Sequence, residues 1–309
     1  MFKARTDLAL EWREEAVRRG DPADGLIFGE EELDGIRAST IDVVSAAGAR
    51  SAGRAPGRYI TLEFGRLWLR GYEDFRRAVE VAADKLRLLA GEGITRVLVA
   101  GLGNSAITAD ALGPKAVSNV IITHHLKEQA PAVYESFGGV QLSGIAPGVL
   151  GQTGVESAEL IKKAAELVGP SLVIVIDSLA SRRISRLATT LQLSDTGISP
   201  GSGVGNHRSA INEGSVGARV ISVGVPMVAD AATLAWDILE GAAERGGVAL
   251  DEGMSEALVR ESLEGENSNF FVTPKESDVV VNEMAKLIGF AVNRVFYPGL
   301  DFEEMARMV

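Results

Sequence analysis

Asp110 and Asp177 are the residues of this chain best suited to chemistry. Each closes a short apolar run, RVLVAGLGNSAITAD in the first case and SLVIVID in the second. Aliphatic, β-branched runs without polar alternation read as strands buried on both faces of a parallel sheet. In open α/β sheets the C-terminal strand ends face the ligand crevice, so acids at two such ends can meet in one cleft. Carboxylates that share a site split their pKa values, one keeping a proton and the other accepting one. Such a pair can hydrolyse an unreactive bond with water. Each acid also has a plainer use, because Asp is a good helix N-cap. Asp110 precedes a helix expected from about Ala111, and Asp177 precedes the turn into SLASRR.

Other residues offer binding chemistry. Arg182 and Arg183 follow Asp177 closely and either hold an acidic side chain by bidentate pairing or are solvated surface charges. The loop SDTGISPGSGVGN (194–206), with Ser202, Gly203 and Asn206, either presents backbone N–H groups to an oxyanion or a substrate carboxylate or is turn chemistry alone. Its GISPG matches G-x-S-x-G, but Pro200 and further glycines follow where a nucleophile elbow needs a helix. GLGNSA (101–106) fits the dinucleotide fingerprint, yet the acid expected about 20 residues later is missing; a glycine turn leaving a strand is the blander reading. His124, His125 and Glu128 have metal-ligand types at helical spacing without an H-E-x-x-H, and three histidines are a thin supply.

These residues need a scaffold. With 309 residues and 46% hydrophobic content the chain can bury a large core. Strands are expected at 96–101, 118–123, 172–177 and 219–224. Helices are expected at 7–19, 73–91, 109–116, 154–168, 228–245 and 276–296. YITLEF and RLWLR alternate like strands, and pieces near 139–146 and 187–194 suggest an extra β-rich lobe. Strands alternating with helices argue for α/β architecture with a mainly parallel sheet. The expected organisation is one elaborated domain over 1–309, with 1–90 and the weakly periodic stretch 246–274 as additions.

Composition excludes several classes. There is no cysteine, which rules out a thiol nucleophile, disulfides and Cys-ligated metals. The net charge of −11 disfavours nonspecific nucleic-acid binding. No window resembles a membrane span or a signal peptide. The expectation is a cytoplasmic protein with no membrane partner, no direct nucleic-acid contact and no cofactor.

Eight segments taken in order carry a family resemblance. They are RTDLALE (5–11), PGRYITLEF (56–64), VLVAGLGNSAITADALGPK (97–115), GIAPGVLGQTGVES (144–157), LVIVIDSLASRR (172–183), SDTGISPGSGVGN (194–206), VISVGVPMVADAATL (220–234) and NFFVTPKESD (269–278). Over nearly its whole length the chain resembles the spore germination proteases of endospore-forming bacteria. The resemblance implies an endopeptidase that degrades the small acid-soluble proteins coating spore DNA. It implies an atypical aspartic peptidase whose two essential aspartates fall on Asp110 and Asp177. It also implies a three-layer α/β/α fold like that of hydrogenase-maturation peptidases, a homotetramer in the spore core, and a zymogen cut at its N-terminus. The implied preference for glutamate before the cut would be read by Lys115, Arg182 or Arg183.

Two departures stand out. Only four residues precede Arg5, so the chain reads as a mature form, a truncation or a member controlled differently. SAITAD follows GLGN where the family usually has an aromatic beside the Asn. Two rival readings remain: a metal-dependent peptidase using His124 or His125 with Asp110, and a non-catalytic binder of acidic peptides.

Overall fold

The two acid-bearing runs form neighbouring parallel strands, β4 (Arg96–Gly101) and β6 (Leu172–Ala180). A computed structural model of the chain describes residues 5–20, 24–201, 208–247 and 270–309, together with Ala257, Val259 and Glu261. The strands lack polar alternation because both of their faces are covered. Val97, Val99, Leu172, Ile174 and Ile176 share a core with the helices Tyr72–Ala90 and Ser277–Phe296. The alternate residues Leu98, Ala100, Val173 and Val175 pack against Ile161 and Ala165 of the helix Ser157–Val168. Each fully buried Val, Leu or Ile contributes about 1.5–3 kcal/mol, so this central pair anchors a three-layer α/β/α arrangement.

The parallel set continues with β5 (Gln141–Ile145) beside β4 and β8 (Arg219–Asp230) beside β6. On the far side of β8 the sheet turns antiparallel through β7 (Thr190–Ser194), β3 (Gly57–Glu63), β2 (Ile36–Val43) and β1 (Leu26–Leu33). A two-residue strand, β9 (Phe271–Val272), pairs with the end of β8. The pieces expected near 139–146 and 187–194 thus become β5 and β7. They extend the main sheet and do not form a lobe of their own. RLWLR holds a 3-10 turn at Leu67–Leu69 where a strand was expected.

Three other expectations are corrected. Residues 118–123 form no strand. Their backbone is met by a side chain, since Ile121 N–H donates to Asn293 Oδ1 at 2.9 Å and Asn293 Nδ2 donates to Asn119 O at 3.0 Å. Asn293 is fully buried on the long C-terminal helix, so the apolar run 120–122 packs beneath that helix without joining the sheet. The helix expected at 109–116 is a 3-10 turn at Thr108–Asp110 followed by a helix at Leu112–Ser118. Finally, β6 and β8 run on to residues 180 and 230, beyond the ends expected at 177 and 224. Most of the stretch 246–274 lies outside the described residues.

Unequal strand lengths position the acids. β4 ends at Gly101, which lies opposite Ile176 of β6. Leu102 N–H still donates to Ile176 O at 2.8 Å, and then the chain leaves the sheet. β6 continues, so from Asp177 onward its β4-side flank is open to the loop 102–111. That loop and the helix after it lie close against the strands. A Cβ on Gly113 would sit 2.3 Å from Leu102 O and 2.6 Å from Ile176 O. Gly113→Ala should therefore lower unfolding stability by at least the ~1–3 kcal/mol typical of overpacking, seen as a reduced urea midpoint with an unchanged slope.

Candidate active site

Asp110 and Asp177 meet in one cavity. It has a volume of about 380 Å³ and is also lined by Gly103, Glu156, Ser178, Gly201, Arg208 and Phe271. Asp177 continues the face of β6 that carries Val173 and Val175, so it points toward the layer of the Ser157–Val168 helix. Asp110 comes from the loop after β4. That loop closes tightly, because Gly103 has φ +115° and a Cβ there would stand 1.9 Å from Asp110 O. The glycines of GLGNSA therefore serve chain geometry, as the blander reading of that motif has it. Asn104 locks the turn: its N–H donates to Asp110 Oδ2 at 2.8 Å, and its Oδ1 accepts from Ala106 N–H at 2.9 Å and Gln152 Nε2 at 2.7 Å.

Neither acid caps a helix. The helix Leu112–Ser118 has Ala111 at its N-cap and no side-chain cap bond. Asp177 Oδ1 accepts the N–H of the next residue, Ser178, at 2.9 Å within the strand. Released from capping, both carboxyls face the cavity in a protein-lined, poorly solvated setting.

Their electrostatics differ in degree. Asp110 is half-buried, and burial raises its pKa, opposed by the Asn104 N–H and by the positive charge of Arg208. Asp177 is 6% exposed and is raised well above the ordinary carboxylate range. Burial is the largest cause, followed by the charges of Asp110 and Asp7, with the Ser178 N–H and Arg208 opposing. The pair is thus biased toward a protonated Asp177 and an ionised Asp110.

Asp7 was not singled out by sequence reasoning. It reaches β6 from the N-terminal arm: its N–H donates to Ala180 O and its Oδ2 accepts from Ala180 N–H, both at 2.9 Å. Arg208 was missed too. It follows the glycine loop with no motif of its own, and only the fold brings it to the acids.

The other expected site residues are placed differently. Arg182 does not line the cavity. It is 3% exposed, its guanidinium donates to Glu15 at 2.8 Å and to Glu240, and its N–H donates to Glu11 Oε2 at 2.7 Å. Arg183 lies outside the cavity as well, paired with Glu14 at 3.5 Å and Asp237 at 3.7 Å. Both arginines tie the N-terminal helix Ala9–Arg19 to the helix Ala231–Gly246, because those helices carry the nearest acids. Lys115 is also directed elsewhere, its Nζ donating to Asn282 Oδ1 at 2.6 Å. Ser202, Gly203 and Asn206 lie outside the described residues; of their loop, Pro200 and Gly201 line the cavity.

The residues present do not fit a metal centre of the kind the rival reading needs. His124 and His125 are exposed and absent from the cavity wall. Among the described residues no three His, Cys, Asp or Glu side chains are grouped to hold an ion. No described helix is long and apolar enough to cross a membrane.

Two carboxyls in one cavity, one inside a strand and one on the loop that leaves its neighbour, are an arrangement that suits hydrolysis by an α/β enzyme. Comparison with known proteins narrows this. The family model for germination proteases matches residues 4–252. The germination protease of Caldanaerobacter subterraneus subsp. tengcongensis is 41% identical over 321 residues, covering 99% of this chain and 98% of that protein. A germination protease of Clostridium perfringens is 36% identical over the full length of both chains, and one of Geobacillus sp. is 35% identical, covering 97% of this chain and 95% of its own. A nickel–iron hydrogenase maturation protease from Thermococcus kodakarensis is similar at 15% identity and a TM-score of 0.37, covering 70% of this chain and 98% of that one, a likeness too distant to carry an argument. The chain belongs to the germination protease family, which makes it a protease of spore germination.

Two predictions follow from the charges. Raising the folded pKa of Asp177 means that the folded state holds a proton the unfolded chain has already released. Stability from this group is therefore lost as pH rises from the ordinary Asp range through the raised value. Asp177→Asn should melt above the parent at neutral pH, and the two curves should converge in acid, where both side chains are neutral; calorimetry across a pH series reads this. Arg182→Ala removes a buried guanidinium that bridges Glu15 and Glu240 and leaves Arg18 paired with both; it should cost about 1.5–3 kcal/mol of stability. Its kcat/KM, measured well below its melting temperature, should match the parent's.

Proposed function

We propose that this protease cleaves small acid-soluble spore proteins in the spore core, activating water with Asp110 and Asp177. The observation that carries the reading is the placement of both carboxyls on one cavity wall, with burial raising each. Ionised Asp110 takes a proton from water as the water oxygen attacks the scissile carbonyl carbon. Protonated Asp177 supplies a proton on the leaving side. General acid–base assistance of this kind is worth about 10²–10⁴ in rate.

The family's name supports a protein substrate, and the cavity's Phe271 and Val149 supply an apolar wall for a peptide. The homotetramer and the N-terminal activation expected from the family resemblance belong to the same proposal. In the described chain the N-terminal arm supports such control, since Asp7 is bonded to Ala180, three residues beyond Asp177.

The test is cleavage of a purified small acid-soluble protein, followed by mass spectrometry. Asp110→Asn and Asp177→Asn should each lower kcat/KM by roughly 10³ while remaining folded. Full activity in either variant refutes the dyad. The parent's kcat/KM should be bell-shaped in pH. Activity falls in acid as the raised Asp110 takes up its proton, so that limb lies above the usual carboxylate range. It falls in base as Asp177 loses its proton.

A further inference from the structure

The loop that carries Asp110 is held in an unusual way. Residues 105–108 are exposed, Ile107 by 55%, so packing does little to place the carboxyl that follows them. Hydrogen bonds do it instead, and four of them meet at Asn104. Its N–H donates to Asp110 Oδ2 at 2.8 Å and is the one donor to that carboxyl among the described residues. Its O accepts from Ile107 N–H at 3.0 Å. Its Oδ1 accepts from Ala106 N–H at 2.9 Å, an Asx turn within the loop. The fourth bond comes from elsewhere in the chain: the same Oδ1 accepts from Gln152 Nε2 at 2.7 Å.

Gln152 lies on the short helix Leu150–Thr153, which follows β5. Val149 and Glu156, on either side of that helix, line the cavity. Ser157 Oγ donates to Gly148 O at 2.9 Å and so ties the start of this turn to the Ser157–Val168 helix. The Gln152 amide therefore joins two banks of the cavity, the loop that bears Asp110 and the turn before that helix. The direction of the Asn104 amide is fixed by its partners. Ala106 N–H and Gln152 Nε2 are both donors, and a flipped amide would set Nδ2 against them.

We infer that Asn104 and Gln152 are positioning residues for Asp110, joining its loop to a second bank of the cavity so that the carboxyl is held where it takes the water proton. This rests on the dyad reading above and adds what keeps its base in place. Asn104 acts through the turn, which aims one N–H at Asp110 Oδ2 and leaves Oδ1, without a partner among the described residues, as the oxygen that accepts the proton. Gln152 acts one link further back, by holding the Asn104 amide. Such restraint matters because a misplacement of about 1 Å can cost about 10²-fold in rate. A loosened turn also withdraws the N–H from Oδ2. The ionised form then loses a donor, and Asp110 takes up its proton at higher pH. Asp177, Glu156 and Arg208 are the other charged or titratable groups among the described residues on the cavity wall. Asn104 and Gln152 are neutral, so removing either side chain leaves that set of charges unchanged.

The experiment measures kcat and KM across pH on a small acid-soluble protein for Asn104→Ala, Asn104→Asp, Gln152→Leu and Asp110→Asn, well below each melting temperature. Asn104→Ala should lose about 10- to 100-fold in plateau kcat at unchanged KM, with the acid limb moved to higher pH. Asn104→Asp keeps an oxygen for both N–H groups and should recover most of that rate, while its added negative charge still moves the acid limb up. Gln152 is exposed, so Gln152→Leu tests the bridge without disturbing the core; it should lose about 3- to 10-fold in kcat, with a smaller shift of the same limb. A merely structural role would lower the melting temperature and leave plateau and limb where they are. If Asp110→Asn is inactive while Asn104→Ala and Gln152→Leu keep the parent's kcat and acid limb, the positioning assignment is overturned and the dyad stands. A rise in KM alone for either variant also overturns it, because that is substrate binding. A fully active Asp110→Asn overturns the dyad and this assignment together.

Discussion

The site depends on a mismatch in length between two adjacent parallel strands. β4 leaves the sheet after Gly101, while β6 goes on through Asp177 to Ala180. At the point where pairing stops, β6 has an open flank inside the protein. The loop from β4 folds into that flank, and glycine is needed where it comes closest, at Gly103 against Asp110 and at Gly113 against Leu102 and Ile176. An equal-length β4 would place a strand where the cavity is. The acids share one cavity because the ladder ends one residue before the second of them.

Burial then sets their chemistry. A carboxylate in a poorly solvated cavity is costly unless donors compensate it, and among the described residues each acid receives one backbone N–H, from Asn104 or Ser178. The neighbourhood is otherwise acidic, with Asp7 adding to the pressure on Asp177. Arg208 moderates that pressure. A strongly acidic chain can still build this balance: Arg182 and Arg183 are held by acids on two helices, and Arg208 is the one Lys or Arg among the described residues that line the cavity. Stability and the proposed chemistry pull in opposite directions here: the proton that burial holds on Asp177 is the one the proposed reaction would consume.

The N-terminal arm belongs to this electrostatic unit. Arg5 pairs with Asp230 at the end of β8, Asp7 is bonded to Ala180, and Glu11 accepts from the backbone of Arg182 and Arg183. Residues 5–11 therefore brace the ends of the two long strands that frame the cavity. A change in that segment acts on the site through the position of Asp7 and the path of β6.

Fold class and the burial of the two acid-bearing runs were legible in the sequence because local composition encodes them. Runs such as LVIVI are buried on both faces, and burial on both faces is what removes alternation. The pattern failed where a distant side chain replaced the ladder, as Asn293 does for residues 120–122, and where pairing prolonged a strand past its apolar run, as in β6 and β8. Binding residues read from nearness to Asp177 in sequence were misplaced. Arg182 and Arg183 follow it by five and six positions yet turn to acids on two helices, because β6 leaves the sheet between them. Arg208 reached the cavity without a motif, and Asp7 reached β6 at Ala180 from the N-terminal arm. Composition and periodicity report whether a residue is buried, and that much the chain states for itself. Which buried groups share one volume, and which cation is left to face them, depends on contacts between segments far apart in the chain, and only the folded structure sets those.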